Sequence, residues 1–149
     1  MKIGHGTLVL VADGQKLLLL RNEGDRKYAV LETLDHEEDT NPPAHEQGTD
    51  TPGRTHASVG ERRSGYDETD WHERAEKQFA KNSANELERA ADTHPDAGIV
   101  VIAAPQTLGV MRQHYGNATK ERLVAEIDKD LAHHTTKEIA EVIAAYSNG

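Results

Sequence analysis

Seven consecutive residues, Gly98–Ala104, read GIVVIAA and stop at Pro105 without one polar side chain among them. A run this short and this apolar is a strand covered on both faces, hence a central strand of a sheet with layers above and below it. Pro105 ends it, because proline has no N–H to offer a ladder. The rest of the chain must therefore supply neighbouring strands and at least two helical faces to cover them.

The pattern on either side supplies them. Thr7–Ala12 and Gln15–Arg21 are apolar runs joined by Asp13-Gly14, the dipeptide of a two-residue type I′ hairpin. Leu17–Leu20 does not alternate, so that strand too is expected to be covered twice. Lys27–Leu34 reads as a third strand after a turn at Gly24-Asp25. A long helix is expected from Asp70, which with Glu73 forms a capping-box pattern. Its apolar face is Trp71, Ala75, Phe79, Leu87 and Ala90–Ala91, with Asn82 and Ser83 within the stripe, and it should end near Asp92, ahead of His94-Pro95. After Pro105 a short helix from Thr107 turns Leu108, Met111 and Tyr115 inward, closed by Gly116. Glu121–Asp128 is the fifth strand, alternating through Leu123, Ala125 and Ile127. Thr135 and Glu138 make a capping box for a last helix buried through Ile139, Val142, Ile143 and Tyr146. The order βββαβαβα gives an α/β fold, a mixed five-stranded sheet with helices on its faces.

A chain of 149 residues is expected to form a single domain, 1–149. With no cysteine, disulfides and thiolate metal sites are excluded. The apolar N-terminal run is broken by Asp13 and is too short for a secretory signal, and no segment approaches the roughly 20 apolar residues that span a bilayer. A cytoplasmic protein without membrane contact is the expectation. The net charge of −9 argues against indiscriminate binding of nucleic acid. That charge is uneven. Asp35, Glu37, Glu38, Asp39, Glu46 and Asp50 fall in one stretch without a lysine or arginine, and Arg54, Arg62 and Arg63 follow against Glu61 alone. From about 35 to 67 the chain is polar and punctuated by Pro42-Pro43 and Pro52-Gly53, so a long flexible loop is expected there.

Three phrases carry a resemblance that covers nearly the whole chain: TLVLVADG at Thr7–Gly14, TDTPGR at Thr49–Arg54 and LVAEIDKD at Leu123–Asp130. In these the sequence resembles the bacterial host attachment proteins, a bacterial offshoot of the middle domain of archaeal and eukaryotic peptide-chain release factors. The resemblance implies that domain's topology, which ribonuclease H-like folds share, and a connection with translation through ribosome or tRNA. In release factors a Gly-Gly-Gln tip ahead of the long helix helps water attack the ester of peptidyl-tRNA. The corresponding stretch here, Gly53–Asp70, has no such tip, with only an isolated Gly60 and a Gln47-Gly48 pair upstream.

The expectation is therefore a non-catalytic binding protein. Arg54, His56, Arg62 and Arg63 are the candidate phosphate contacts and Tyr66 the candidate stacking residue. Trp71 falls in register with the core stripe instead. A plain solvated loop is the competing reading of the same residues. The alternatives in function are a divergent hydrolase on peptidyl-tRNA or RNA and an acidic adaptor for a basic protein. A two-metal nuclease is disfavoured, since Gly98–Ala104 offers no acid and Asp13 is accounted for by its turn. The nine histidines contain no H-E-x-x-H, and no cofactor is expected. His36, His45 and His56 stand among acids in the long polar stretch, where nickel or zinc could bind adventitiously, and Glu126 and Asp128, about 6–7 Å apart on one face of a strand, are weak candidates to chelate a cation. Ordinary ion pairing with Arg122 or Lys129 is the simpler account of them.

Overall fold

A computed structural model describes residues 1–39 and 57–147, with the backbone alone for 57–70. Five strands form one sheet in the order β3-β2-β1-β4-β5. They are β1 (Leu8–Ala12), β2 (Lys16–Asn22), β3 (Leu31–Glu38), β4 (Ile99–Ala103) and β5 (Leu123–Ile127). The helices are α1 (Ala57–Thr93), α2 (Pro105–Arg112), α3 (Asn117–Arg122) and α4 (Thr136–Ala145). β1 pairs antiparallel with β2 and parallel with β4, in register Leu8↔Ile99 through Ala12↔Ala103, and β4 pairs parallel with β5. The mixed five-stranded α/β sheet expected from the sequence is the fold.

Strand periodicity splits the core in two. Leu8, Leu10, Ala12, Ile99, Val101 and Ala103 face α1, α2 and α3, where they meet Phe79, Leu87, Leu108 and Met111. Val9, Val11, Val100, Ile102 and Ile127 face the opposite way, toward Ile139 and Ile143 of α4. Every residue of β1 and β4 is buried, which is why both read as unbroken apolar runs.

Four local expectations are corrected. The β1–β2 connection is not a type I′ loop centred on Asp13-Gly14. Asp13 starts the turn, its N–H donating to the Lys16 carbonyl at 3.0 Å, and its Oδ1 accepts the Gln15 and Lys16 N–H groups at 2.7 and 2.6 Å. Gly14 does not need the left-handed region that a type I′ turn demands. Its glycine is required because a Cβ would run into the Cβ and Cγ of Glu76 on α1.

The third strand begins at Leu31, not Lys27. The buried Asn22 side chain accepts the N–H groups of Gly24 and Val30, both at 2.9 Å, and Asp25 accepts those of Lys27 and Tyr28. Residues 24–30 are thereby held as a turn, and the strand continues instead through the acidic residues to Glu38. At the sheet edge it has one strand neighbour, and all but Leu31 of its residues are exposed.

The long helix starts at Ala57, so position 70 lies within it and not at its start. Gly60 and Gly65 cost such a helix about 1 kcal/mol each, which weakens it but does not stop it as a proline would. Of the long flexible loop expected over about 35–67, residues 35–38 belong to β3 and 57–67 to α1, and 40–56 lie outside the described residues.

Between β4 and β5 there are two helices rather than one. α2 starts with Pro105 at its first turn, where the missing N–H costs nothing. α3 takes up Glu121 and Arg122, leaving β5 to begin at Leu123. The capping box of α4 is present as expected, Thr135 Oγ1 accepting the Glu138 N–H at 3.1 Å and the Glu138 carboxylate accepting the Thr135 N–H at 2.9 Å. No helix among the described residues is long and apolar enough to cross a membrane.

Candidate functional site

Two regions are candidates for contact with a partner or ligand. The first is the amino-terminal part of α1. Its backbone is helical from Ala57, whereas full burial among its described side chains begins at Phe79 and continues through Ala80, Ser83, Ala84, Leu87, Ala90 and Ala91. Trp71 and Ala75, expected in the same stripe, are only partly buried, and Trp71 stands edge-on to the His72 ring at 5.2 Å. Positions 62, 63 and 66 lie on this early helical stretch, 62 and 66 one turn apart. Their side chains, and all of Arg54 and His56, lie outside the described residues.

The second region is the carboxyl end of the parallel strands, where ligands sit in many open α/β sheets. A cleft of about 570 Å³ opens there, lined by Asp13 and Gln15 after β1, Glu76 of α1, Gln106 and Thr107 of α2, and Asp130 after β5. Asp13 Oδ2 lies 3.4 Å from His133 Nε2. Glu76, Thr107 and Asp130 were not singled out from the sequence. The signal that was available is the pair of strand ends at Asp13 and Pro105, which parallel pairing brings side by side.

The acids that looked most like a site are occupied. Glu126 Oε2 accepts the Tyr115 hydroxyl at 2.7 Å, and Oε1 accepts Arg112 Nε at 2.9 Å. Burial pushes the Tyr115 phenol well above its ordinary range, and the hydrogen bond to Glu126 with that carboxylate's charge adds to it. Asp128 lies past the end of β5 and is exposed. Arg122, the expected partner of this pair, instead donates to the carbonyls of Ala91 and His94, both at 2.6 Å, and so caps the carboxyl end of α1.

Glu88 does the reciprocal work. Its carboxylate accepts the N–H groups of Ala118 and Thr119 and the Thr119 hydroxyl, satisfying the first turn of α3. Burial alone would raise the Glu88 pKa, but these donors and the charge of Arg122 outweigh it and hold the pKa below its ordinary value. Of the histidines, His36 is exposed on β3, His134 lies 3.7 Å from Glu138, and His45 and His56 are outside the described residues. Among the described residues, only Asp35, Glu37 and Glu86 bring three potential metal-binding atoms within 4.8 Å of one another.

With strands, helices and connections in place, the sequence matches bacterial archaeo-eukaryotic release factor family 12 over residues 6–143. The chain belongs to this family. The match runs from just before β1 to the last turn of α4, so the whole sheet and its covering helices belong to the shared unit. No curated protein matches the sequence. Membership in this release-factor family agrees with the resemblance in fold, and it says nothing of a host attachment role.

Proposed function

We propose that this family 12 protein acts in translation as a non-catalytic cytosolic binding protein, which docks on the ribosome or on tRNA through Arg54, His56, Arg62, Arg63 and Tyr66. The observation that carries the reading is the unbroken helical backbone from Ala57 to Thr93. It sets position 63 about 24 Å of helix ahead of Phe79, the first buried side chain described in α1. A continuous helical backbone of this kind keeps positions 62 and 63 at a fixed distance from the sheet, which suits phosphate recognition better than a loose loop. The absence of a Gly-Gly-Gln tip from the stretch ahead of Asp70 supports binding over hydrolysis. Attachment to host cells is, on this reading, an indirect consequence of an intracellular role.

Co-sedimentation with ribosomes tests it. The wild-type chain is expected to pellet with ribosomes at low salt and to leave them as salt rises. Replacing Arg54, Arg62 and Arg63 together by alanine should abolish pelleting, and a triple variant that pellets like the parent defeats the proposal. A second reading has its own observation. Glu32, Asp35, Glu37 and Glu38 are exposed along an edge strand, a surface suited to a basic protein. Capture of a basic ribosomal protein that disappears on neutralising Asp35, Glu37 and Glu38, and not on removing the arginines, would select that reading.

A further inference from the structure

We propose that the outer edge of β3 pairs with the same edge of a second copy of this chain, antiparallel about a two-fold axis at Glu32. The backbone points there first. Asn22 of β2 donates its N–H to the Thr7 carbonyl and accepts the Gly6 N–H, both on the β1 side. Leu31 stands opposite Asn22. By the alternation of an antiparallel ladder, Leu31 and Thr33 therefore turn their N–H and C=O groups outward, where β3 has no strand neighbour among the described residues. Such an edge is a template for another strand. Past the bulge at Leu34, the His36 N–H is taken by the Asp35 carboxylate at 2.8 Å, so a new ladder centres on Leu31 and Thr33.

Side chains select the register and the occupant. When Leu31 of one copy exchanges backbone bonds with Thr33 of the partner copy, Val30 falls opposite Leu34 of the partner copy. These two are 51% and 43% exposed in the single chain. Farther out, Lys27 comes opposite Glu37 of the partner copy, and Arg26 opposite Glu38 of the partner copy. None of these four charged groups has an ion pair among the described residues. The Asn22 side chain accepts the Gly24 and Val30 N–H groups, and Asp25 accepts those of Lys27 and Tyr28. The turn that carries the cations is thus braced before a partner arrives, which lowers the cost of pairing.

The acids of β3 have a reason to accept those cations. Glu37 brings a carboxylate oxygen within 4.8 Å of those of Asp35 and Glu86, so a lysine arriving at Glu37 relieves repulsion as well as forming a pair. A basic partner of unrelated sequence would answer the acids but leave Arg26 and Lys27 facing like charge. A second copy answers both sets at once. The register has one adverse contact, because Glu32 meets Glu32 of the partner copy at the axis, and like charges directly opposite destabilise a strand pair. The pairing does not rest on the arm of α1, and it occupies the edge that the basic-protein reading would use.

Analytical ultracentrifugation of the full chain from about 1 to about 300 μM tests this. The mass is expected to rise toward twice that of one chain. Lys27→Glu and Glu37→Lys should each weaken association at least about tenfold. The two together in one chain should restore it to within about threefold of wild type, because each reversed charge then meets its opposite across the axis. That rescue also shows that the single variants lost the interface and not the fold. Glu32→Gln should strengthen association about fivefold, whereas Glu141→Gln, the same change of charge on α4, should leave it unaltered. A chain that stays monomeric throughout overturns the proposal. So does a double variant as monomeric as the single ones, and a dimer indifferent to all of these changes places its interface elsewhere.

Discussion

Glu88 and Glu126 on one side, Glu76 and Asp130 on the other, are the same chemistry put to opposite uses. The first two are filled with donors. Glu88 takes three from α3, and Glu126 takes Tyr115 and Arg112. The second two stand at the rim of a cleft that contains no lysine or arginine. An acid surrounded by donors stabilises the fold and has nothing left to offer a ligand. An acid facing an unneutralised cavity adds little to stability and keeps its charge available. Counting carboxylates in a sequence cannot separate the two, because the difference lies in what reaches them from elsewhere in the chain.

The largest consequence falls on Glu88. Glu88→Ala strands two helix-start N–H groups and a buried Thr119 hydroxyl, and is expected to cost about 2 kcal/mol in urea unfolding. Its pH dependence has a fixed sign. The folded pKa is depressed, so the stabilisation is fully present above the unfolded carboxylate value and is lost as pH falls through the folded one. Glu88→Gln should therefore show a shallower loss of stability than wild type between neutrality and strongly acid pH. A loss as steep as the wild type's would mean that the cap is not electrostatic.

Next in size is Tyr115. Its phenol keeps its proton in the folded state at pH values where the unfolded chain gives it up. Above about pH 10 the wild type should accordingly lose stability relative to Tyr115→Phe, by up to about 1.4 kcal/mol per pH unit. At neutral pH the phenylalanine variant is expected to be less stable by about 1 kcal/mol, through loss of the bond to Glu126. The two stability curves should converge as pH rises. Parallel curves would place Tyr115 in solvent in solution and remove Glu126 from the class of filled acids.

Much of the sheet could be read from the chain because its informative residues are covered twice. β1 and β4 are apolar throughout for that reason, and the Thr135/Glu138 box is a contact within four residues. What could not be read depends on groups far apart in sequence. The start of β3 is set by Asn22 reaching Val30, and α3 exists as a separate helix because Glu88, 31 residues from Thr119, caps it. The start of α1 lacks a cap signal in the chain and runs through glycines that would ordinarily suggest a loop. The cleft is the extreme case. It joins residues 13–15, 76, 104–107 and 130, and only Asp13 and Pro105 marked its position in advance.

The smallest effect is also the sharpest discriminator. Asp130→Asn removes one charge of three from the cleft and breaks no ion pair among the described residues. Relief of repulsion from Asp13 and Glu76 opposes any loss, so stability should change by no more than about 0.5 kcal/mol, with a gain as the expected direction. The gain should shrink as salt rises, because the repulsion it relieves is screened. Urea unfolding at low and high salt measures both. A destabilisation approaching that of Glu88→Ala would show that Asp130 is held by donors after all, and the contrast between filled and available acids would then fail at the site where it matters most.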